Sequence, residues 1–348
     1  MNDENKIIGY AIKKVVNNES LTEKESYDVC MEIMDGNTTS AQIGSLLTAL
    51  RMKGETVDEI TGFCRAMREK MISIKCSVDP IIDTCGTGGD GMHTFNISTT
   101  SAFIAAGAGC FVAKHGNRSV SSLCGSADLL SALGIKLDID YKLVKECIEK
   151  VGIGFLFAPL FHPAMKNAIG PRREIGIRTI FNILGPLCNP ALVEHQVIGV
   201  CKKEFLEKVG KTLINLGARH ALIVYGGDGI DEITTTARTY VLEIKNKGII
   251  EYEISPEDFG MKRCSIEGIR VKNNRDNLDS FISILKGEPG PKTDTVLLNA
   301  GAAIYVAGKA ETIKQGVEMA RESIFSGAAL NKLEQLRRFV NGHTKSDS

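Results

Sequence analysis

The chain predicts an α/β protein in which a small helical domain precedes a large α/β domain, with a mostly parallel central sheet flanked by helices. Three observations carry this expectation. Residues 1–72 show only helical apolar spacing, punctuated by capping residues. From about residue 78, short apolar runs alternate with helical segments, the pattern of strands joined by helices. Two glycine-containing stretches directly follow apolar runs, which puts turns at strand ends. The expected division is 1–72 for the helical domain and 73–348 for the α/β domain.

Helices are expected over 7–16, 22–34, 40–53 and 56–71. Thr22 with Glu25, and Thr56 with Glu59, fit capping boxes in which hydroxyl and carboxylate serve each other's backbone N–H. Ile43, Leu46, Leu47 and Leu50 fall on one buried face. On these residues alone, the segment is a packing bundle without chemistry.

In the larger part, strands are expected at 80–83, 110–113, 196–200, 221–225, 238–244 and 294–298, with a further one at 249–254. The stretch 294–300 and the glycine-alanine turn after it are expected to close the sheet. Helices are expected at 128–133 and 141–151, and as outer elements at 311–323 and 329–339.

Composition excludes several classes of function. Lys plus Arg and Asp plus Glu number 42 each, so no bulk field favours nucleic acid or an anionic membrane, and any polyanion site must be a local cluster. The ten cysteines form no C-x-x-C pair and lie in apolar segments, which argues for reduced thiols in the cytoplasm rather than zinc or disulfides. The opening residues lack an apolar signal region, and the most apolar run, 102–113, is too short and glycine-broken to span a bilayer. A cytoplasmic protein without membrane or nucleic-acid partners is expected.

Chemistry concentrates in residues 83–128, DTCGTGGDGMHTFNISTTSAFIAAGAGCFVAKHGNRSVSSLCGSAD. The turn from Gly86 to Gly91 lets a ligand approach backbone without Cβ atoms in the way. Its amides suit phosphate oxygens, and a following helix start adds its positive dipole end. Asn96, Ile97, Ser98 and Thr99 supply that start, with side chains expected to cap it. No Gly-Lys-Ser/Thr follows, so this is not a Walker loop, and no acidic ribose ligand completes a dinucleotide fingerprint. A plain strand-to-helix turn remains the alternative for this loop taken singly. A second loop, Lys114 to Arg118 followed by Ser119, Ser121, Ser122 and Ser126, changes the balance. Two anion-friendly loops at the ends of adjacent strands suit a ligand with phosphate at both ends.

Two later stretches add charge. Arg172, Arg173 and Arg178 precede a proline-bounded turn, a pattern that on composition alone reads as a solvated face. After the strand 221–225 comes Gly226-Gly227-Asp228-Gly229-Ile230-Asp231-Glu232. Adjacent carboxylates on a strand point to opposite faces, so Asp231 and Glu232 serve one ion only if the backbone turns there, as the glycines permit. Carboxylate oxygens are hard ligands for magnesium that also carries water and phosphate; the alternative is an acidic surface turn. His162, His195, His220 and His343 have no partners at metal-ligand spacing.

GTGGDG, NIST, KHGNRSVSS and GSADLLSALG together resemble the anthranilate phosphoribosyltransferase family. The likeness extends to MDGNTTSAQIGSLLTALRMKGETVDEITGFCRAMRE, to RREIGIRTIFNILGPLCNP and to GGDGIDE. It implies transfer of the 5-phosphoribosyl group from 5-phosphoribosyl 1-diphosphate to the amine of anthranilate, in tryptophan biosynthesis. It also implies a homodimer formed through the helical domain, and completion of that domain by residues of about 160–185.

Carried over motif by motif, Gly86, Gly89, Asp90 and Thr94 would hold the donor, and Asn96, Ile97, Ser98 and Thr99 would extend its site. Lys114, His115, Gly116, Asn117, Arg118, Ser119, Val120, Ser121, Ser122 and Ser126 would form the second wall. Ser98, Asp231 and Glu232 would hold one or two magnesium ions. Gly86, Asn117 and Arg172 would meet anthranilate, the arginine facing its carboxylate. His115 is the one candidate proton acceptor. Glu174 and Arg178 are expected to be structural, and Asp228 to lie in a surface turn. Leu123 and Cys124 stand where many relatives have a basic residue and a serine, and Cys188 where threonine is common. A pyrimidine nucleoside phosphorylase would lack the KHGNR and RRE signatures, and a silent nucleic-acid-binding relative would show a basic stripe and lose the acidic pair. A phosphoribosyltransferase of the other main fold would end a strand in paired acids, which this chain lacks.

Overall fold

The computed structural model describes residues 6–119 and 124–343. Four helices come first: α1 (Lys6–Val16), α2 (Glu23–Asp35), α3 (Ser40–Lys53) and α4 (Val57–Lys70). Both expected capping boxes form, at Thr22/Glu25 and Thr56/Glu59, and Thr39 with Gln42 makes a third. Glu59 does more than cap. Fully buried, it accepts from the N–H groups of Leu21 at 2.9 Å and Thr56 at 2.8 Å, and pairs with Lys53 at 2.9 Å.

The α/β part holds β1 (Ile81–Gly86), α5 (Ile97–Gly107), β2 (Phe111–Gly116), α6 (Ser126–Ala132), α7 (Tyr141–Glu146) and β3 (Ile153–Phe157). Then follow α8 (Ala158–Phe161), α9 (Lys166–Ile175), α10 (Phe181–Leu184), β4 (His195–Gly199), α11 (Phe205–Asn215), β5 (His220–Gly226), β6 (Thr239–Lys245) and β7 (Gly248–Ile254). Four helices complete the chain: α12 (Asn274–Leu285), α13 (Pro291–Val306), α14 (Ile313–Phe325) and α15 (Ala328–His343).

The strand order is β3-β2-β1-β4-β5-β6-β7. β1 to β5 are parallel, and β6 and β7 add an antiparallel edge. The order reverses between β1 and β4, so a crevice opens beyond their carboxyl ends, the place where open sheets of this kind bind ligands. Each face of the sheet carries its own core, as strand alternation requires. On β5, Leu222 and Val224 join the core under α5 and α13, while Ala221 and Ile223 join the other. That second core is continuous with the helical bundle: Leu46, Leu47 and Phe63 share it with Ala168 of α9 and Phe181 and Leu184 of α10. α9 packs directly on α2 and α3.

Several expectations need correction. Residues 294–300 are not a strand closing the sheet but part of α13, buried on nearly all sides against α5 and α14. An apolar run buried all round has no periodicity to tell helix from strand; its 16-residue length and the proline at the helix start decide. β3, α11 and α12 are elements that the spacing does not predict. β2 is displaced from 110–113 and runs on through Lys114, His115 and Gly116, so these are strand residues rather than loop. The helix expected over 141–151 ends as a π-helical turn at Cys147–Val151. α14 and α15 are not merely outer helices, since both pack on α5. Among the described residues, no helix is long and apolar enough to cross a membrane.

Candidate active site

Segments following β1, β2 and β5 meet α9 and α10 around a cavity of about 370 Å³. Gly86 ends β1 opposite Gly199 of β4, the two strands either side of the switch point. A Cβ on either glycine would run into Asp231, so the side chains missing here are what let that residue drop into the crevice. The loop after β1 is anchored by Thr87, whose N–H donates to the Gly199 carbonyl at 2.9 Å. Gly88, Gly89 and Gly91 all have positive φ, the left-handed backbone that glycine adopts without strain. Asp90 closes its own turn by accepting from the Met92 N–H at 3.1 Å.

α5 begins at this cavity, and Thr84 ties its first turn to β1 by donating to the Ser98 carbonyl at 2.9 Å. Asn96 stands at the N-cap but makes no capping bond, which corrects the capping expected of it. Its side chain is engaged elsewhere, donating to the Cys124 carbonyl at 3.1 Å. Asn96 therefore leaves the first-turn N–H groups of α5 uncapped, and that of Ser98 is directed at Glu232. Thr99 lines the cavity, and its buried hydroxyl has no hydrogen-bond partner.

The second wall is held from behind. Asp128 accepts from the N–H groups of Ser119 and Gly125, both at 3.0 Å, and pairs with Arg118 at 2.9 Å. Despite burial, these partners hold its carboxyl below the usual range. Asn117 uses its side-chain oxygen to accept from the Arg118 N–H, and Ser126 donates to the Asn117 carbonyl at 3.3 Å. Lys114 is 3% exposed and lines the cavity near the acidic pair. Val120, Ser121 and Ser122, assigned to this wall, lie outside the described residues.

His115 is buried on β2. Its Nδ1 lies 3.0 Å from the Gly185 carbonyl, so that nitrogen carries the proton and Nε2 is the bare one, without a partner. Burial, then the neighbouring His162, pushes its pKa down to about 3. It is a neutral acceptor at physiological pH, and a weak base.

Asp231 and Glu232 face the cavity from the segment after β5, with a turned backbone. Asp231 accepts from the Gly88 N–H at 2.6 Å. Burial, then the nearby Asp90, pushes its carboxyl up to about 8. Glu232 is raised well above the usual range by burial and by Asp231, although Lys114 and the Ser98 N–H oppose that. Buried carboxylates crowded together favour a cation or a proton between them. Among the described residues no group of three or more His, Cys, Asp or Glu side chains is arranged to cage an ion. This donor set fits a hard cation that takes its remaining ligands from water and substrate oxygens. Asp228 is occupied within its own turn, accepting from Thr234 at 2.8 Å.

On the far side, Arg172 of α9 lies over the Phe181 ring, 5.3 Å from its centroid. Burial, then the adjacent Arg178, lowers its pKa. Arg178, expected to be structural, is also part of the cleft. It lines the cavity and donates to the Thr87 carbonyl at 3.0 Å, so it touches the glycine loop after β1 directly. Phe181, Asn182 and Pro186 also line the cavity. Only the RREIGIRTIFNILGPLCNP signature points toward these residues. Glu174 is exposed.

Fold and cleft define a glycosyl transferase made of a helical bundle and an α/β domain. The family model described as "Glycosyl transferase family, helical bundle domain" matches residues 10–71, and "Glycosyl transferase family, a/b domain" matches residues 78–330. The anthranilate phosphoribosyltransferase of Acetivibrio thermocellus is 52% identical, covering 95% of this chain and 96% of its own. That of Clostridium kluyveri is 51% identical, covering 96% and 100%. The chain belongs to the anthranilate phosphoribosyltransferase family. The crystal structure of the Thermus thermophilus enzyme superimposes with a TM-score of 0.90 at 42% identity, covering 95% of this chain and 99% of that one. The Saccharomyces cerevisiae enzyme in complex with PRPP and Mg gives 0.87 at 27% identity, covering 96% and 98%.

Proposed function

We propose that this cleft transfers the 5-phosphoribosyl group from 5-phosphoribosyl 1-diphosphate to the amine of anthranilate. The products are N-(5-phosphoribosyl)anthranilate and diphosphate, and the step belongs to tryptophan biosynthesis. The observation that carries this reading is the convergence on one cavity of a glycine loop, a helix N-terminus, Lys114 and the Asp231–Glu232 pair, with Arg172 opposite.

The amine nitrogen attacks C1 of the ribose. The C1–O bond to diphosphate breaks with its electron pair leaving on the diphosphate, and the amine loses a proton. An aryl amine is neutral near pH 7, so the demanding task is to hold the departing negative charge while the ribose becomes cation-like. Gly86, Gly89, Asp90 and Thr94 hold the donor, extended by Asn96, Ile97, Ser98 and Thr99, and Lys114 offsets phosphate charge. Residues 115–119 and Ser126 form the second wall. Asp231, Glu232 and Ser98 hold one or two magnesium ions. Bound magnesium supplies a charge sink for the diphosphate. Arg172 offers its planar fork to the anthranilate carboxylate, with Asn117 and Gly86 beside it. His115 Nε2 takes the amine proton. An N-substituted aryl ammonium is a strong acid, so a weak base suffices.

The division at residues 72 and 73, with 160–185 completing the helical domain, belongs to this reading; the packing of α9 on α2 and α3 supports it. So does a homodimer through the helical domain, since Ile7, Tyr10 and Val16 leave α1 with exposed apolar groups. A cytoplasmic location agrees with ten unbridged cysteines.

The test is anthranilate fluorescence followed over time with purified protein. The expected result is signal loss that requires both the phosphoribosyl donor and magnesium. A flat trace from folded protein would overturn the reading.

A further inference from the structure

A strap from a distant part of the chain braces the exit of the first loop. Residues 269–277 run alongside residues 92–96. The Arg270 Nε donates to the Met92 carbonyl at 3.0 Å, Thr94 and Arg270 form an antiparallel bridge, and the Val271 N–H donates to the His93 carbonyl at 3.0 Å. Asn277, in the first turns of α12, closes the strap with a reciprocal pair. Its Oδ1 accepts from the Asn96 N–H at 2.9 Å, and its Nδ2 donates to the Asn96 Oδ1 at 2.7 Å. Asn277 is only 1% exposed.

This pair explains the missing cap on α5. An asparagine at an N-cap ordinarily turns its side-chain oxygen onto the N–H groups of its own helix. Here Asn277 holds that oxygen, and the other end of the Asn96 amide reaches the Cys124 carbonyl. Asn96 thereby joins the exit of the first loop to the return of the second, and leaves the start of α5 facing the cavity. A buried primary amide donates and accepts at once, so no other side chain of this size reproduces both bonds.

We propose that Asn277 is a positioning residue for the phosphoribosyl donor. It fixes Asn96 so that the α5 N-terminus and the second loop are both set for the ligand. This rests on the donor site assigned above. Asn277 touches neither substrate; it acts through Asn96.

Calorimetric titration of the full-length chain with 5-phosphoribosyl 1-diphosphate and magnesium, without anthranilate, tests this free of turnover. Asn277→Ala removes both bonds. Asn277→Asp keeps the acceptor for the Asn96 N–H but sets oxygen against oxygen at the Asn96 side chain. Leu278→Ala trims a partly buried apolar neighbour on the same helix and reports on helix packing alone. Both Asn277 variants are expected to weaken donor binding at least tenfold, with Leu278→Ala within twofold of wild type. In steady state, the donor KM rises at least tenfold while the anthranilate KM at saturating donor stays within twofold. Donor affinity within twofold of wild type in either folded Asn277 variant would overturn the inference, as would an equal loss in Leu278→Ala. If Asn277→Ala does not fold, Asn277→Asp decides. A wild-type chain that fails to bind the donor would overturn the functional reading, and this inference with it.

Discussion

Arg178 reaches across the cleft to Gly89: its guanidinium occupies the space a Cβ on that glycine would take, while Nη2 donates to the Thr87 carbonyl at 3.0 Å. Gly89 also has φ +78°. Gly89→Ala therefore meets a clash and a left-handed backbone that costs a non-glycine residue about 1–2 kcal/mol. The donor KM should rise at least ~10-fold, with a smaller effect on the anthranilate KM, as measured by steady-state kinetics. Equal effects on both substrates would show that the loop serves more than the donor.

Arg172→Ala should raise the anthranilate KM by about 10-fold to 100-fold, given the roughly 1.5–3 kcal/mol of a hydrogen bond to a charged group. The donor KM should change little. Arg172→Lys should recover only part of the loss, because an ammonium cannot make the planar two-bond contact. A donor KM that moves in step with the anthranilate KM would contradict the assignment.

The raised carboxyl of Asp231 couples metal binding to pH. With a pKa pushed up to about 8 by burial and Asp90, it carries a proton at pH 6.5 that a bound cation must displace. The magnesium concentration giving half-maximal activity should fall as pH rises from 6.5 to 8. Asp231→Asn should lose on the order of 10²-fold in kcat/KM and flatten that dependence. Without metal the sign is opposite. The raised carboxyl stabilises the folded chain below its ordinary value near 4, and that contribution is lost as pH rises through about 8. Thermal melts in chelator, wild type against Asp231→Asn, check this directly.

His162 gives a second pH window. Burial lowers its pKa from 6.5 to about 4, with the Cys188 backbone opposing. A folded pKa below the unfolded one contributes stability above 6.5 that is lost as pH falls toward 4. The full loss is on the order of 3 kcal/mol at 1.36 kcal/mol per pH unit. His162→Phe should melt less steeply with acid between pH 6.5 and 4. Parallel curves for the two proteins would refute the point.

Glu59→Ala should destabilise the chain by roughly 3–5 kcal/mol, because it strands a buried Lys53. It also leaves the N–H groups of Leu21 and Thr56 without their carboxylate. Chemical denaturation measures the loss. Kinetic constants of the folded fraction should stay near wild type, since no part of Glu59 lines the cleft.

Glu59 also marks how far short-range spacing reaches. Its capping role is legible, because hydroxyl and carboxylate stand three residues apart. Its bond to Leu21, 38 residues away, is not. The cleft divides the same way. The glycine loop, the NIST start, Lys114 to Asn117 and the Asp231–Glu232 turn are local patterns, and the fold brings them to one cavity. Asn277 lies 181 residues from Asn96, and nothing in its own neighbourhood marks it. Arg178 reads only as a structural group, because surface arginines are usually solvated, and only packing turns this one into the cleft. α13 and β3 escape because uniformly apolar segments carry no periodic signature.

The continuity of the helical-bundle core with α9 and α10 has a consequence for how this protein varies. Leu46 and Leu47, fully buried in the bundle, share one packed body with the elements that carry Arg172 and Phe181 into the cleft. Close-packed interiors transmit displacement rather than absorb it. A methyl group gained or lost in that interior shifts the wall that carries Arg172 and Phe181, and with it the Arg178 contact to the glycine loop. Drift at bundle positions is thus exposed to selection through turnover as well as through folding, so these leucines work as adjustment points for a reaction they never touch.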